Sequence, residues 1–525
     1  MASLKPGESL DHNMKQIKKI SISIMGGLLL GLVLMPVMPG NMWISLAGST
    51  LLLSISIYLM WSVWDWAGRG KVLAWLVVLA FVLRLGLGIL FTLEMPWWGF
   101  YGSEEHQHGY IFTDSYNRDQ QAWDLAISTQ PIWAGVAEGF YADQYGGLLT
   151  ISAAIYRLLS PDAHRQILIL ILGALFTALG IPFLFSALRD RWGNRIALIT
   201  SWIVVLYPDS VLFGASQMRE PFIIGLTCII LWALFQWQKD RRLSAVVMGV
   251  GLLIVLIFSY MIALALLFLL MVLFWQENLA PKSVWWKRAG WMGLILGVLA
   301  GTLLLWRWMN SAATWDIIVT MLGSGWVTKI IKEAGSMFRF PIVVVYGISQ
   351  PVLPAALVSI NTKPVMYVVA VMRSLGWYLL APVLIYSIYT LWTNRKVPDK
   401  KIWVWISIFS LVWLVVSALR AGGDQWDNPR YRVNFIVFLG LLAAWGLDWV
   451  WQKRDFWLAR WMIVEFIFVG FFLHWYLGRY FRFWNRMFFQ EYVVWILGLS
   501  ALVLASGWVW ELIIKIRKKK KMEGS

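Results

Sequence analysis

Residues 72–93 read VLAWLVVLAFVLRLGLGILFTL, an apolar stretch interrupted by one cation, Arg84. As a helix rising 1.5 Å per residue it covers about 33 Å, enough to cross a hydrocarbon core of about 30 Å. Comparable runs recur at 20–38, 43–64, 167–188, 196–213, 221–237, 243–258, 261–275, 291–306, 365–392, 402–419, 433–451, 461–477 and 492–513. Only Arg84 and Arg373, of 45 Lys and Arg residues, fall inside such runs. Hydrophobic residues make up 60% of the 525 and charged residues 14%, whereas soluble domains run nearer half and a quarter. Many of the 37 Trp stand at the ends of the runs, as in the interfacial belt of membrane proteins. The sequence therefore predicts an all-α polytopic integral membrane protein with about 14 transmembrane helices.

Charge sets the expected sidedness. With the N-terminus inside, most of the Lys and Arg fall in the loops near Arg69, Arg191, Arg241, Lys287, Lys396 and Arg454 and in the tail after Lys515. The positive-inside rule then makes both termini cytoplasmic, in the cell membrane. The net charge of +17 is accounted for by these loops and argues against a nucleic-acid partner. The single Cys228 excludes a disulfide framework and a thiolate metal site. The polar stretch before residue 20 carries no small-residue cleavage site, so the first run reads as a retained anchor. The apolar segment from Gly146 to Leu159 is short for a crossing. It is expected to be juxtamembrane or re-entrant on the outer face, since a crossing there would turn the Lys518 to Lys521 run outward.

Three outer segments then hold the candidate chemistry. The first loop, 94–165, carries Glu94, Glu104, Glu105, Asp114, Asp119, Asp124, Glu138 and Asp143. Its stretch from Phe112 to Ala126 begins extended and turns helical, with Ala122, Trp123 and Ala126 on one packing face. Asp114, placed just before that helix, is favoured in its ionised form by the helix N-terminus. It can accept a proton from an acceptor hydroxyl, or serve only as a cap. The second segment, Asp209 to Glu220, puts carboxylates and Arg219 at the ends of two neighbouring helices, with Pro221 suited to a first turn. It reads equally as a capped hairpin. The third, Arg420 to Arg432, brings Arg420 and Arg430, bidentate donors suited to phosphate, or else partners of Asp424 and Asp427. Segment 307–364 is expected to lie along the interface. Arg84 and Arg373 are costly inside a span and are functional candidates until a partner is found. His106 and His108, near Glu104 and Glu105, read as a flexible polar loop in preference to a metal site.

Several of these segments, in this order and with this sidedness, resemble the integral-membrane glycosyltransferases of the GT-C superfold. The bacterial branch related to protein mannosyltransferases and lipid A aminoarabinose transferases is the nearest likeness. The carriers are Phe81-Val82-Leu83-Arg84-Leu85, Asp114-Ser115-Tyr116 with Asp119, Gly146-Gly147-Leu148-Leu149, Leu188 to Gly193, Tyr207-Pro208 with Glu220, and Pro429-Arg430-Tyr431-Arg432. The resemblance covers about residues 73–447, so that residues 1–71 hold a tail and two additional helices. A GT-C-like catalytic module would span 72–451, and the last helices and basic tail 452–525.

The resemblance implies transfer of a sugar from a polyprenyl-phosphate carrier to a glycan, lipid or protein acceptor outside the membrane. It makes Asp114 the catalytic carboxylate; for a departing phosphate the outer cations Arg430, with Arg420 or Arg219, are then expected as the clamp, and Asp119, Glu220, Asp209, Tyr116 and Tyr431 as groups that position the acceptor or an ion. Relatives often have Asp-Glu where this chain has Asp114-Ser115, which leaves the use of a divalent metal open. Two other readings compete. A polysaccharide polymerase or ligase on lipid-diphosphate glycans would rely on the Arg loop and not on Asp114. A transporter or flippase would show ionisable residues at mid-span and symmetry-related halves, and the only cations at mid-span are Arg84 and Arg373.

Overall fold

The computed structural model describes residues 6–136, 146–299, 325–360, 362–485 and 487–523. Glu138, Asp143, and residues 300–324 of the ninth apolar run and the segment after it lie outside the described residues. Those described form helices, turns and loops with no strand. Among the described residues ten helices are long and apolar enough to cross a membrane, or twelve if two bent pairs each count as one crossing. Of the about 14 expected, the run at 221–237 forms a helix of only 17 residues, Glu220–Gln236, and that at 291–306 leaves the described region.

Chain packing divides the molecule into two compact units: residues 1–274 with 433–437, and residues 275–432 with 438–525. In the first, α1 (Pro6–Leu34) and α2 (Met42–Trp66) precede α3 (Lys71–Trp98), the helix of the Arg84 run. Short helices α4 (Glu104–Gln107), α5 (Thr113–Ile127) and α6 (Gly147–Leu159) follow. Then come α7 (Ile167–Trp192), α8 (Asn194–Leu206), α9 (Pro208–Gly214), α10 (Glu220–Gln236), α11 (Arg241–Phe258) and α12 (Tyr260–Phe274). α7 is apolar all round and is buried along most of its length, the mark of a central helix. It meets α10 where small residues let backbones approach: a Cβ on Gly180 would stand 2.8 Å from the Gly225 Cα.

α6 is 13 residues, about 20 Å long and too short to cross. Its left-handed start at Gly146 (φ 71) suits glycine, and Gly147 leaves no room for a Cβ against the Ile257 carbonyl. Ala122, Leu125 and Ala126 of α5 pack on its Leu149, Ala153 and Tyr156, so the expected apolar face of α5 is present. Arg157 of α6 caps the other end of α5, donating to the carbonyls of Leu125 (2.5 Å), Ala126 (3.0 Å) and Ser128 (3.1 Å).

Ion pairs and hydrogen bonds tie the connections of the first unit together. Lys19 and Arg69 bond Asp65 (3.2 and 2.8 Å), Arg189 bonds the Ala67 carbonyl (3.2 Å), and Lys239 bonds Asp190 (3.3 Å). At the opposite helix ends, Arg165 and the Asn41 N–H both bond Asp162.

Arg84 has partners after all. α8 and α9 meet at a bend of 53°, because Pro208 has no N–H to give the Val204 carbonyl four residues back. Arg84, fully buried, donates to the carbonyls of Val204 (3.1 Å) and Val205 (3.3 Å), to Ala80 (3.0 Å) and to Ser210 Oγ (2.7 Å). A Cβ on Gly214 would come within 2.6 Å of the Arg84 side chain, which is why α9 can lie so close.

The second unit contains α13 (284–299), which runs on into undescribed residues, α14 (Gly325–Ser349), α15 (Leu353–Val358) and α16 (Pro364–Thr393). They are followed by α17 (Lys400–Ala421), α18 (Asp427–Val433), α19 (Ile436–Lys453), α20 (Trp457–Tyr480) and α21 (Phe489–Glu523). α14 and α15 fall within segment 307–364. α14 lies against α17, with Gly347 so close that a Cβ would meet Ala418 at 2.8 Å. Arg84 and Arg373 are not the only ionisable groups along spans: α20 carries Glu465 and His474, and α19 carries Asp448.

Candidate functional site

The described part of the loop after α3 is more ordered than a solvated acidic segment. Gly99 and Gly109 (φ 81) allow the chain after α3 to fold back on itself, Gly109 against Thr92. His106 is buried, stacks on Phe100 at 5.6 Å and accepts its N–H at 2.9 Å. Burial pushes its imidazolium below the ordinary range, outweighing the pull of Glu105. His106 is therefore a neutral, structural histidine and not part of a flexible loop. Among the described residues no three His, Cys, Asp or Glu side chains are grouped to hold a metal.

α5 begins two residues earlier than the sequence suggests, so Asp114 sits within its first turn and is exposed there. A carboxylate in that turn faces the positive end of the helix dipole. The glutamates before it serve the same turn: Thr113 donates to Glu105 (3.0 Å) and the Tyr116 hydroxyl to Glu104 (2.8 Å). Burial and the Glu104 carboxylate together hold the Tyr116 phenol above its usual range.

Two contacts bring the second candidate segment to this helix. Buried Arg118 donates to the Gln217 carbonyl and lies 3.4 Å from Met218 Sδ, while Phe112 stacks on Phe213 with centroids 5.1 Å apart. Asp209 and Glu220 are both buried in the first turns of α9 and α10, each beside the proline of its turn, and Arg219 is half-buried at the start of α10. Gln217 also bonds Gln166 (3.1 Å) at the head of α7. The first two of the three expected constellations thus adjoin.

Asp119 has a different setting from Asp114. It is 2% exposed and accepts from the Tyr110 hydroxyl (2.6 Å), the Tyr156 hydroxyl (2.7 and 2.8 Å) and His164 Nε2 (3.0 Å). Burial, reinforced by the Asp119 charge, drives both phenols well above their usual range, so they remain donors. Next to this cluster is a cavity of about 170 Å³ bordered by His108, Tyr110, Gln120, His164, Arg165 and Gln166, with Val37 to Pro39 on an apolar side. Asp114 does not border it. Tyr110, Tyr156, His164 and Arg118 carry this architecture, and no spacing in the sequence singles them out.

In the second unit, Asp424 caps the segment after it, accepting the N–H groups of Trp426 (2.5 Å) and Asp427 (2.7 Å). It is not the partner expected for an arginine. Asp427 is, at 3.6 Å from Arg430, whose side chain is 8% exposed. Arg420 lies over the Tyr431 ring at 4.6 Å. Arg432 is the most embedded of the three, over Trp377 (3.5 Å) and bonded to the Gln350 carbonyl (3.0 Å). Arg373 stacks on Trp426 (4.5 Å) and donates to its carbonyl (3.2 Å).

No protein-family model matches the chain, and no curated protein is significantly similar to it.

Proposed function

We propose that the protein is a membrane glycosyltransferase that moves a sugar from a polyprenyl-phosphate carrier to an acceptor hydroxyl on the extracytoplasmic face, with Asp114 as general base. The observation that carries the reading is the placement of Asp114. It is an exposed carboxylate in the first turn of a short helix, held by Arg118 and Phe112 against the corner of Arg219 and Glu220, at one end of apolar helices. The charge pattern makes that end extracytoplasmic, and a lipid-linked donor has its headgroup at that depth. The resemblance to the GT-C glycosyltransferases adds its weight to the same assignment.

In this mechanism Asp114 takes the proton of the acceptor hydroxyl as its oxygen attacks the anomeric carbon. The bond from that carbon to the phosphate oxygen breaks, and the electron pair leaves on the phosphate. Cations answer the charge that develops there. Arg219 has this role within the unit that holds Asp114, and Arg420 and Arg430 are assigned it from the sequence. Glu220 and Asp209, buried in adjoining helix turns, position the corner. Tyr116 and Tyr431 keep the positioning role assigned to them from the sequence, and Asp119 shapes the loop from within.

The test offers purified protein a panel of polyprenyl-phosphate sugars. One donor is consumed by the unaltered protein, and Asp114→Asn slows that consumption by about 10²-fold or more while the fold survives. An Asp114→Asn protein of full activity refutes the base. If Arg430→Ala alone abolishes activity on a lipid-diphosphate glycan, the polymerase reading takes its place.

A further inference from the structure

The cavity beside Asp119 is a formed site with no part in the chemistry given to Asp114. Two of its imidazoles have their tautomers fixed by what they touch. A carboxylate only accepts, so His164 gives its Nε2 proton to Asp119 (3.0 Å) and in the neutral ring keeps a lone pair on Nδ1. A carbonyl also only accepts, so His108 gives its Nδ1 proton to Glu104 (2.9 Å) and keeps a lone pair on Nε2. Both rings are held flat by aromatic neighbours, His164 on Trp123 (5.4 Å, 11° between planes) and His108 on Tyr116 (5.1 Å, 28°). Between them Gln120 contributes an amide able to donate and accept.

The charges beside the cavity are already committed to partners. Arg165 is clasped by both oxygens of Asp162 (2.6 and 2.8 Å), and the Asp119 carboxylate faces its own three donors. An anion would find no uncommitted cation at this wall, and a cation no uncommitted carboxylate. The side formed by Val37 to Pro39 is apolar. At about 170 Å³ the space is below the range of about 300–1,000 Å³ usual for drug-sized ligands. Acceptors among the bordering groups, an apolar side and no uncommitted charge match a small ring with hydroxyls along its edge and C–H groups on its face.

We propose that this cavity binds one neutral monosaccharide unit, with His108, His164 and Gln120 as the groups that choose it. The inference deepens the glycosyl-transfer reading, because it supplies a place for a sugar, yet its test does not require turnover. Full-length protein in nanodiscs is screened against a panel of methyl glycosides of hexoses, N-acetylhexosamines and pentoses by saturation-transfer NMR. At least one is expected to bind. His164→Phe keeps the stack on Trp123 but removes both nitrogens, and Gln120→Trp fills the space without touching Asp119. Each is expected to weaken binding by about tenfold or more, with unfolding temperature and elution volume as checks on folding. Asp114→Asn is expected to leave glycoside binding unchanged while it removes transfer, so failure of one claim is distinguishable from failure of the other.

The proposal is overturned if no glycoside binds. It is equally overturned if a bound one is indifferent to the folded Gln120→Trp variant, or if zinc or inorganic phosphate occupies the cavity and is displaced by that variant in its place.

Discussion

At the α8–α9 junction the chain bends by 53° and a guanidinium from a neighbouring helix, Arg84, comes to the carbonyls left bare. At α18–α19 the bend is 72°, and side chains of the broken segment itself reach outward: Asn428 to the Gly347 carbonyl (2.7 Å) and Arg432 to that of Gln350 (3.0 Å). The first break receives donors and the second supplies them. In both cases an apolar helix stops without a proton-poor carbonyl being abandoned in surroundings that offer no water. Arg373 follows the same logic, meeting the Trp426 carbonyl just ahead of α18. A cation inside an apolar run marks, in this molecule, a place where another segment of backbone has been interrupted.

The sharpest way to break this comparison is to remove the donors. Arg84→Met strips four hydrogen bonds from a fully buried position and should cost about 3 kcal/mol or more, read as the loss of unfolding free energy in detergent. Arg373→Met, which forfeits a stacking contact and a carbonyl bond, should cost about 1–2 kcal/mol. Equal losses would show that the two cations are not doing comparable jobs of different size.

Asn428→Ala probes the second break from its own side. It removes the bonds to Gly347 and Gly422 and should cost about 1–2 kcal/mol, with α19 otherwise intact. A cost as large as that of Arg84→Met would reverse the ranking of the two breaks.

The smallest expected effect contrasts these cations with one at a helix end. Hydrogen bonds from Arg165 hold the Asp162 carboxyl down at about 2, helped by the Asn41 N–H. A lowered carboxyl pKa adds stability that is complete above its ordinary value of 3.8 and is lost as pH falls through about 2. Unfolding followed from pH 5 to pH 2 should therefore show a decline that Asp162→Asn flattens, while Arg84→Met leaves the slope unaltered.

How far these features were legible follows from where their partners lie. The apolar runs are local, and their helices appear close to where the pattern puts them. The bend at Pro208 was visible as a proline, and the cost of Arg84 as a charge, but the two stand 120 residues and more apart in sequence. No periodicity joins them. The adjacency of α5 and the Glu220 corner was expected from sidedness alone, since the charge pattern assigns both to one face. The Asp119 cluster was not foreseen, because Tyr110, Tyr156 and His164 are 9, 37 and 45 residues away and become neighbours only through the close packing of α5 on α6. His106 misled for a related reason: beside Glu104 and Glu105 it looked solvated, and only the fold-back at Gly99 and Gly109 buries it.

The clasp at Asp162 has a further consequence. By taking the Asn41 N–H as well as Arg165, it rivets the turn between the first two helices to the entrance of α7, and Val37 to Pro39 of that turn close one side of the chamber. The opening hairpin is thus masonry and not ornament. A version of the protein shorn of residues 1–70 would be expected to keep the Asp114 helix but to present an open trough where the intact chain has a walled room.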